Sequence, residues 1–70
     1  MDFKKGDSVH YIPFEGCDES LIENGVVKRE GNTKDTFFVV YNCNGEWHNY
    51  EQYTAALTNA FQLRPGWHNK

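Results

Sequence analysis

Val9 and Tyr11 alternate with Ser8 and His10 behind the turn signal Gly6-Asp7. This is the two-residue period of a half-buried strand. Pro13 has no N–H to give a ladder, so the strand ends there or continues only as an edge. Residues 14–24 carry Gly16, Asp18 and Ser20 and read as a long loop. One short helical turn is expected at residues 20–23, with Ser20 placed to cap it. Asn24-Gly25 opens a second strand over residues 26–30, and the polar run 31–35 makes a hairpin loop.

Residues 36–41 (Thr36, Phe37, Phe38, Val39, Val40, Tyr41) are all β-branched or aromatic and predict the strongest strand in the chain. This third strand is apolar on both faces. It is therefore expected at the centre of a sheet, covered on one side by the core and on the other by a loop or a partner. Asn42-Cys43-Asn44-Gly45 is a turn, and residues 46–53 follow neither period. Residues 54–58 predict a fourth strand, residues 60–63 a single 3₁₀ turn, and residues 64–67 a short closing segment. A competing pattern makes residues 49–61 one helix, because Ala55, Ala56, Leu57 and Ala60 favour that conformation. The first reading predicts an all-β fold, a small five-stranded barrel with a 3₁₀ turn near its C-terminus.

The order of these pieces resembles an SH3-like barrel of the Tudor or chromo type. Gly6-Asp7-Ser8-Val9-His10-Tyr11 matches the opening strand of such domains, Gly25-Val26-Val27 the second and Val39-Val40-Tyr41 the third. Leu63-Arg64-Pro65 matches a common closing motif. The resemblance spans nearly the whole chain. Tudor readers of methylated side chains place cage aromatics just after the third strand, where this sequence has Asn42-Cys43-Asn44-Gly45. There is also a resemblance to small bacteriophage proteins, which implies a host protein, such as a defence enzyme, as the partner. One fold hosts many functions, so the site has to carry the functional argument.

Seventy residues leave room for one domain and one core. A chain this short buries only about 60% of the surface its unfolded form exposes. Five Phe, four Tyr and two Trp supply the bulk that such a core needs. The formal net charge is −3. Lys4-Lys5 and Lys28-Arg29 are interrupted by acids, whereas a phosphate-backbone binder carries a basic stripe. Nucleic acid is therefore the lesser alternative. It would need Lys4, Lys5, Lys28, Arg29 and Lys34 to gather on one face. Two cysteines are too few for a secreted disulfide scaffold, and the N-terminus has no apolar signal region. With no membrane-length apolar run, a reducing cytoplasmic location with free thiols is expected.

The feature that stands out chemically is the aromatic insertion. Trp47, Tyr50 and Tyr53 sit among Glu46, His48, Asn49, Glu51 and Gln52. Aromatic rings with a polar handle are enriched at protein interfaces. Exposed together with Tyr11 or Phe14, with Glu46 beside them and the acidic loop after the first strand as a rim, they would form a binding patch. Folded over the end of the sheet, the same rings would be additional core. The flanking acids also suit a cationic ligand held by cation–π attraction.

Other chemistries find less support. Cys17, Cys43, His10 and His48 lack the paired spacing of a zinc site. Cysteine–histidine catalysis from the same residues would need an orienting third group and a cleft, which a barrel of this size seldom encloses, and nothing marks an oxyanion hole. The glycines are isolated turn positions with no phosphate loop. No metal, cofactor or catalytic residue is expected. Glu15, Asp18, Glu19 and Glu23 form an acidic loop that reads first as solvated, and otherwise as a mimic of nucleic acid or a surface that meets a basic partner. The sequence thus predicts a non-catalytic protein-binding module, with homo-oligomerisation through the two-faced third strand as a further option.

Overall fold

The computed structural model describes residues 3–69. Five strands form where the β-branched and aromatic residues concentrate: β1 (Ser8–Tyr11), β2 (Glu23–Glu30), β3 (Thr36–Val40), β4 (Ala56–Asn59) and β5 (Leu63–Pro65). They make one antiparallel sheet in the order β4-β3-β2-β1-β5. The fold is therefore mostly β, with short 3₁₀ turns at Glu19–Leu21, Trp47–Gln52 and Ala60–Gln62. The last of these joins β4 to β5 near the expected position. It also brings the two ends of the sheet together, since four residues from Asn59 to Leu63 span at most about 14 Å. No ladder runs between β4 and β5, so hydrogen bonding leaves the sheet open.

Several boundaries differ from the sequence reading, each for a physical reason. β2 begins at Glu23 because Asn24 and Gly25 are not a turn: they pair with His10 and Val9 of β1. Gly25 is needed there for closeness, since a Cβ would lie 2.7 Å from Val39 Cγ1 and 2.8 Å from the Val40 carbonyl. The first 3₁₀ turn is Glu19–Leu21, with Asp18 at the cap position and no side-chain cap bond. Ser20 lies inside the turn and does not cap it. The helix over residues 49–61 does not form. A 3₁₀ turn broken at Asn49 gives way to extended backbone at Tyr53. From Ala56 onward, pairing with β3 overrides the helix preference of the alanines.

β3 lies between β2 and β4, with both its faces in use. On one face Val9, Val27, Phe37, Val39 and Leu63 form the core with Phe3, and Tyr11, Tyr41 and Ala60 pack against it. Phe3 meets Phe37 edge to face at 5.6 Å between centroids. Strand alternation sends Val26 and Val40 to the opposite face, yet both are buried, Val40 completely. A register shift between Val27 and Arg29 bulges Lys28 out of the ladder and brings Arg29 opposite Phe38. Beyond β3, Asn44 and Gly45 both take positive φ in a tight turn, as their residue types allow.

Tyr41 and Thr58 supply the polar contact next to the core. The tyrosine hydroxyl lies 2.8 Å from Thr58 Oγ1, and the threonine hydroxyl lies 3.3 Å from the Ala56 carbonyl. Burial pushes the Tyr41 hydroxyl up to about 12, while the bond to Thr58 acts in the opposite sense. A tyrosine whose folded pKa is raised favours the native state fully below its ordinary value of about 10. The contribution is lost as pH climbs from about 10 toward 12, where only the unfolded chain releases the proton. Tyr41→Phe is expected to cost about 1 kcal/mol at neutral pH and to flatten the alkaline loss of stability, as read from urea titrations at several pH values. Gly25→Ala is expected to lower stability by about 1–3 kcal/mol through overpacking against Val39. An unchanged urea midpoint would show that β2 can back away from β3.

Candidate functional site

The aromatic insertion is held by the C-terminal residues. Trp47 packs on Trp67 with ring centroids 5.0 Å apart. Trp67 donates its indole N–H to the Gly25 carbonyl at 2.9 Å. The next residue continues the attachment: His68 N–H donates to Asn24 Oδ1 at 2.7 Å, and Asn24 Nδ2 donates to the His68 carbonyl at 3.0 Å. The Asn24 side chain thus stands in for one rung of a backbone ladder. His10 Nδ1 lies 2.8 Å from the Gly66 carbonyl, which can only accept, so the ring proton sits on Nδ1. Residues 66–68 form a strap fastened along β1 and β2, and Trp47 lies against it.

The polar handles of the insertion are engaged within the chain. Tyr53 donates its hydroxyl to Glu46 Oε2 at 3.1 Å. Its pKa is raised, by burial first and then by that carboxylate. The Tyr53 carbonyl accepts from Lys28 Nζ at 2.8 Å. Glu51 pairs with Lys5, and the Tyr50 hydroxyl lies beside Gly6. Trp47, Tyr50 and Tyr53 are all half-buried. The rings therefore serve partly as cover for the sheet and partly as surface.

The remaining predicted site residues lie elsewhere. Tyr11 faces the core side and meets Tyr41 edge to face at 5.9 Å. Glu46 is exposed beside Tyr53. Phe14 is 60% exposed, and its neighbour across a cleft is Phe61, which is 74% exposed. The cleft holds about 270 Å³ between Ile12, Pro13, Phe14 and Glu15 on one side and Phe61, Gln62 and Arg64 on the other.

Hydrogen bonds stitch the base of this cleft. Ile12 N–H donates to the Gln62 carbonyl at 2.8 Å, and Gln62 Nε2 donates to the Pro13 carbonyl at 3.2 Å. Arg64 spans both walls: it donates to the Phe61 carbonyl at 2.8 Å and to Glu15 Oε1 at 2.7 Å. Sequence reasoning placed Phe61 in the 3₁₀ turn of residues 60–63 and gave it no part in a site. The 3₁₀ turn tucks Ala60 against the core and directs Phe61 outward. The available signal was the solitary aromatic in a turn next to Arg64.

In the acidic loop Glu15 pairs with Arg64, and Glu19 lies 3.4 Å from His68 Nε2. Cys43 is buried, Cys17 is half-exposed and both are free. Among the described residues no three His, Cys, Asp or Glu side chains converge as metal ligands, and no helix is long and apolar enough to cross a membrane. No protein-family model, curated protein or solved structure matches the chain.

Trp47 and Trp67 are expected to be energetically coupled. Each alanine substitution should lower stability, and the double-mutant cycle should return about 0.5–1.5 kcal/mol of interaction. Additive single-mutant effects in a denaturant series would mean that the two rings act independently.

Proposed function

We propose that this chain is a small non-catalytic module of the SH3-like barrel type that binds another protein through the cleft between Phe14 and Phe61. The strand order β4-β3-β2-β1-β5, with a 3₁₀ turn joining its end strands, supports the barrel reading. The observation that carries the functional reading is the pair of exposed phenylalanines on a braced cleft. A chain with so small a core gains from burying every large ring available to it. Two such rings left in water beside Ile12 and Pro13 make an apolar patch with a polar rim, the arrangement of an interaction site.

Arg64 fits this role as a positioning residue. Its bonds to the Phe61 carbonyl and to Glu15 hold both walls before any partner arrives. A pre-set cleft avoids part of the ordering cost of association. The insertion bearing Trp47, Tyr50 and Tyr53 contributes mainly by covering the sheet behind. The likeness to small bacteriophage proteins directs the search for the partner to a bacterial host lysate.

The test compares the wild type with the double variant Phe14→Ser, Phe61→Ser as bait. Both rings are exposed, so thermal stability is expected to change by no more than about 0.5 kcal/mol per site. A partner captured by the wild type is expected to bind the variant at least about 30-fold more weakly, the loss of a hot spot of about 2 kcal/mol. Undiminished capture would move the binding surface elsewhere. A large drop in stability would place the rings in the core instead.

A further inference from the structure

In a regular strand Lys28 and Arg29 would point to opposite faces of the sheet. The register shift in β2 falls at this pair, and a bulge re-aims a side chain. Both residues line one cavity of about 240 Å³, together with Phe38, Thr54 and Ala55. Phe38 alternates with the core residues Phe37 and Val39 and so belongs to the face opposite the core. The cavity therefore lies on the outer face, beside the segment that follows the aromatic insertion.

Each of the two cations is held by a neutral group. Lys28 is half-buried and donates from Nζ to the Tyr53 carbonyl at 2.8 Å. The Arg29 guanidinium lies 4.0 Å from the centre of the Phe38 ring. Elsewhere Lys5 is paired with Glu51 and Arg64 with Glu15. Among the described residues neither Lys28 nor Arg29 has a carboxylate within salt-bridge reach. In a chain of net charge −3, these neighbours form a local field of opposite sign. An ammonium drawn part-way out of water loses hydration that a neutral carbonyl replaces only in part. Its N–H donors outnumber the single bond to Tyr53, and Thr54 adds an exposed hydroxyl at the cavity wall.

We propose that this cavity receives the phosphate of a phosphorylated serine or threonine side chain on a partner protein. Such a group carries about 1.5 to 2 negative charges at neutral pH and three strong acceptor oxygens. It matches both cations, whereas a carboxylate would answer only one. Guanidinium–phosphate bonds are charge-assisted and directional. Pockets that enclose a whole small ligand hold about 300–1,000 Å³, so this smaller cavity suits one charged group at the end of a side chain. A nucleotide would need a ring on which its base can stack, and Arg29 already lies over Phe38, the ring that lines the cavity. A nucleic-acid backbone needs a track of cations, and Lys5 is already paired with Glu51. This surface shares no residue with the Phe14–Phe61 cleft, so either can fail without the other.

The test titrates the isotope-labelled full chain with a short glycine–alanine peptide carrying phosphoserine, glutamate or serine at its centre. Inorganic phosphate, adenosine monophosphate and single-stranded oligodeoxythymidine are the further probes. The phosphoserine peptide is expected to give saturable shifts of the amide signals of Lys28, Arg29, Thr54 and Ala55. The glutamate peptide should bind at least about tenfold more weakly, a difference of about 1.4 kcal/mol. Arg29→Gln and Lys28→Gln should each weaken phosphoserine binding about tenfold while the rest of the spectrum is retained. Lys4→Gln, which removes a charge outside the cavity, should leave it within about twofold. Absence of saturable shifts, equal binding of the glutamate peptide, or full binding by both cavity variants would each overturn the proposal. So would tighter binding of inorganic phosphate, the mononucleotide or the oligonucleotide, which would assign the cavity to a free anion or to nucleic acid.

Discussion

Everything in this structure follows from having to cover both faces of the β2–β3 ladder with very little chain. Val27, Val39 and Phe37 look one way and Val26 and Val40 the other. A single sheet can bury one face by curling around it. Here the curl collects Val9, Leu63 and Phe3 and is drawn tight by the 3₁₀ turn from β4 to β5. The second face needs a separate cover. Its valines are worth about 1.5–3 kcal/mol each when fully removed from water, a large part of the stability available to so small a domain.

That requirement changes the meaning of the aromatic insertion. In a larger protein, Trp47, Tyr50 and Tyr53 in a polar loop would suggest a partner. In this chain Trp47 packs at a tilt against Trp67, and Trp67 is pinned to Gly25. Removing the large rings from general use also explains why the exposed pair Phe14 and Phe61 stands out. These two are apart from the sheet cover, on a cleft whose walls Arg64 ties together.

The strands were legible because their signals are local. Alternation marked β1, and β-branched and aromatic density marked β3. The first helical turn was expected one residue late, since Asp18 and Ser20 are both good cap residues and no side-chain bond settles the choice. Asn24-Gly25 misled because the pair is a strong turn signal, while its actual role depends on closeness to Val39 and on the distant His68. Trp67 carried no local signal for its position, because its partners are 20 and 42 residues away. The candidate site was least legible for the same reason: Phe14 and Phe61 meet only once the whole sheet has formed.

The strap of residues 66–68 has a consequence for how the protein reaches this state. Its bonds join Asn24 to His68 across 44 residues, Gly25 to Trp67 across 42 and His10 to Gly66 across 56. The β1–β5 ladder closes a loop of similar size. Contacts this distant make loop closure the main entropic obstacle, and all-β chains dominated by them fold on the order of milliseconds to seconds. A chain emerging from the ribosome at about 5–20 residues per second has made β1, β2 and β3 well before the strap exists. For those seconds Asn24 and Gly25 lack the partners that the strap supplies. The strap is therefore a fastening that the order of synthesis makes available last among these contacts.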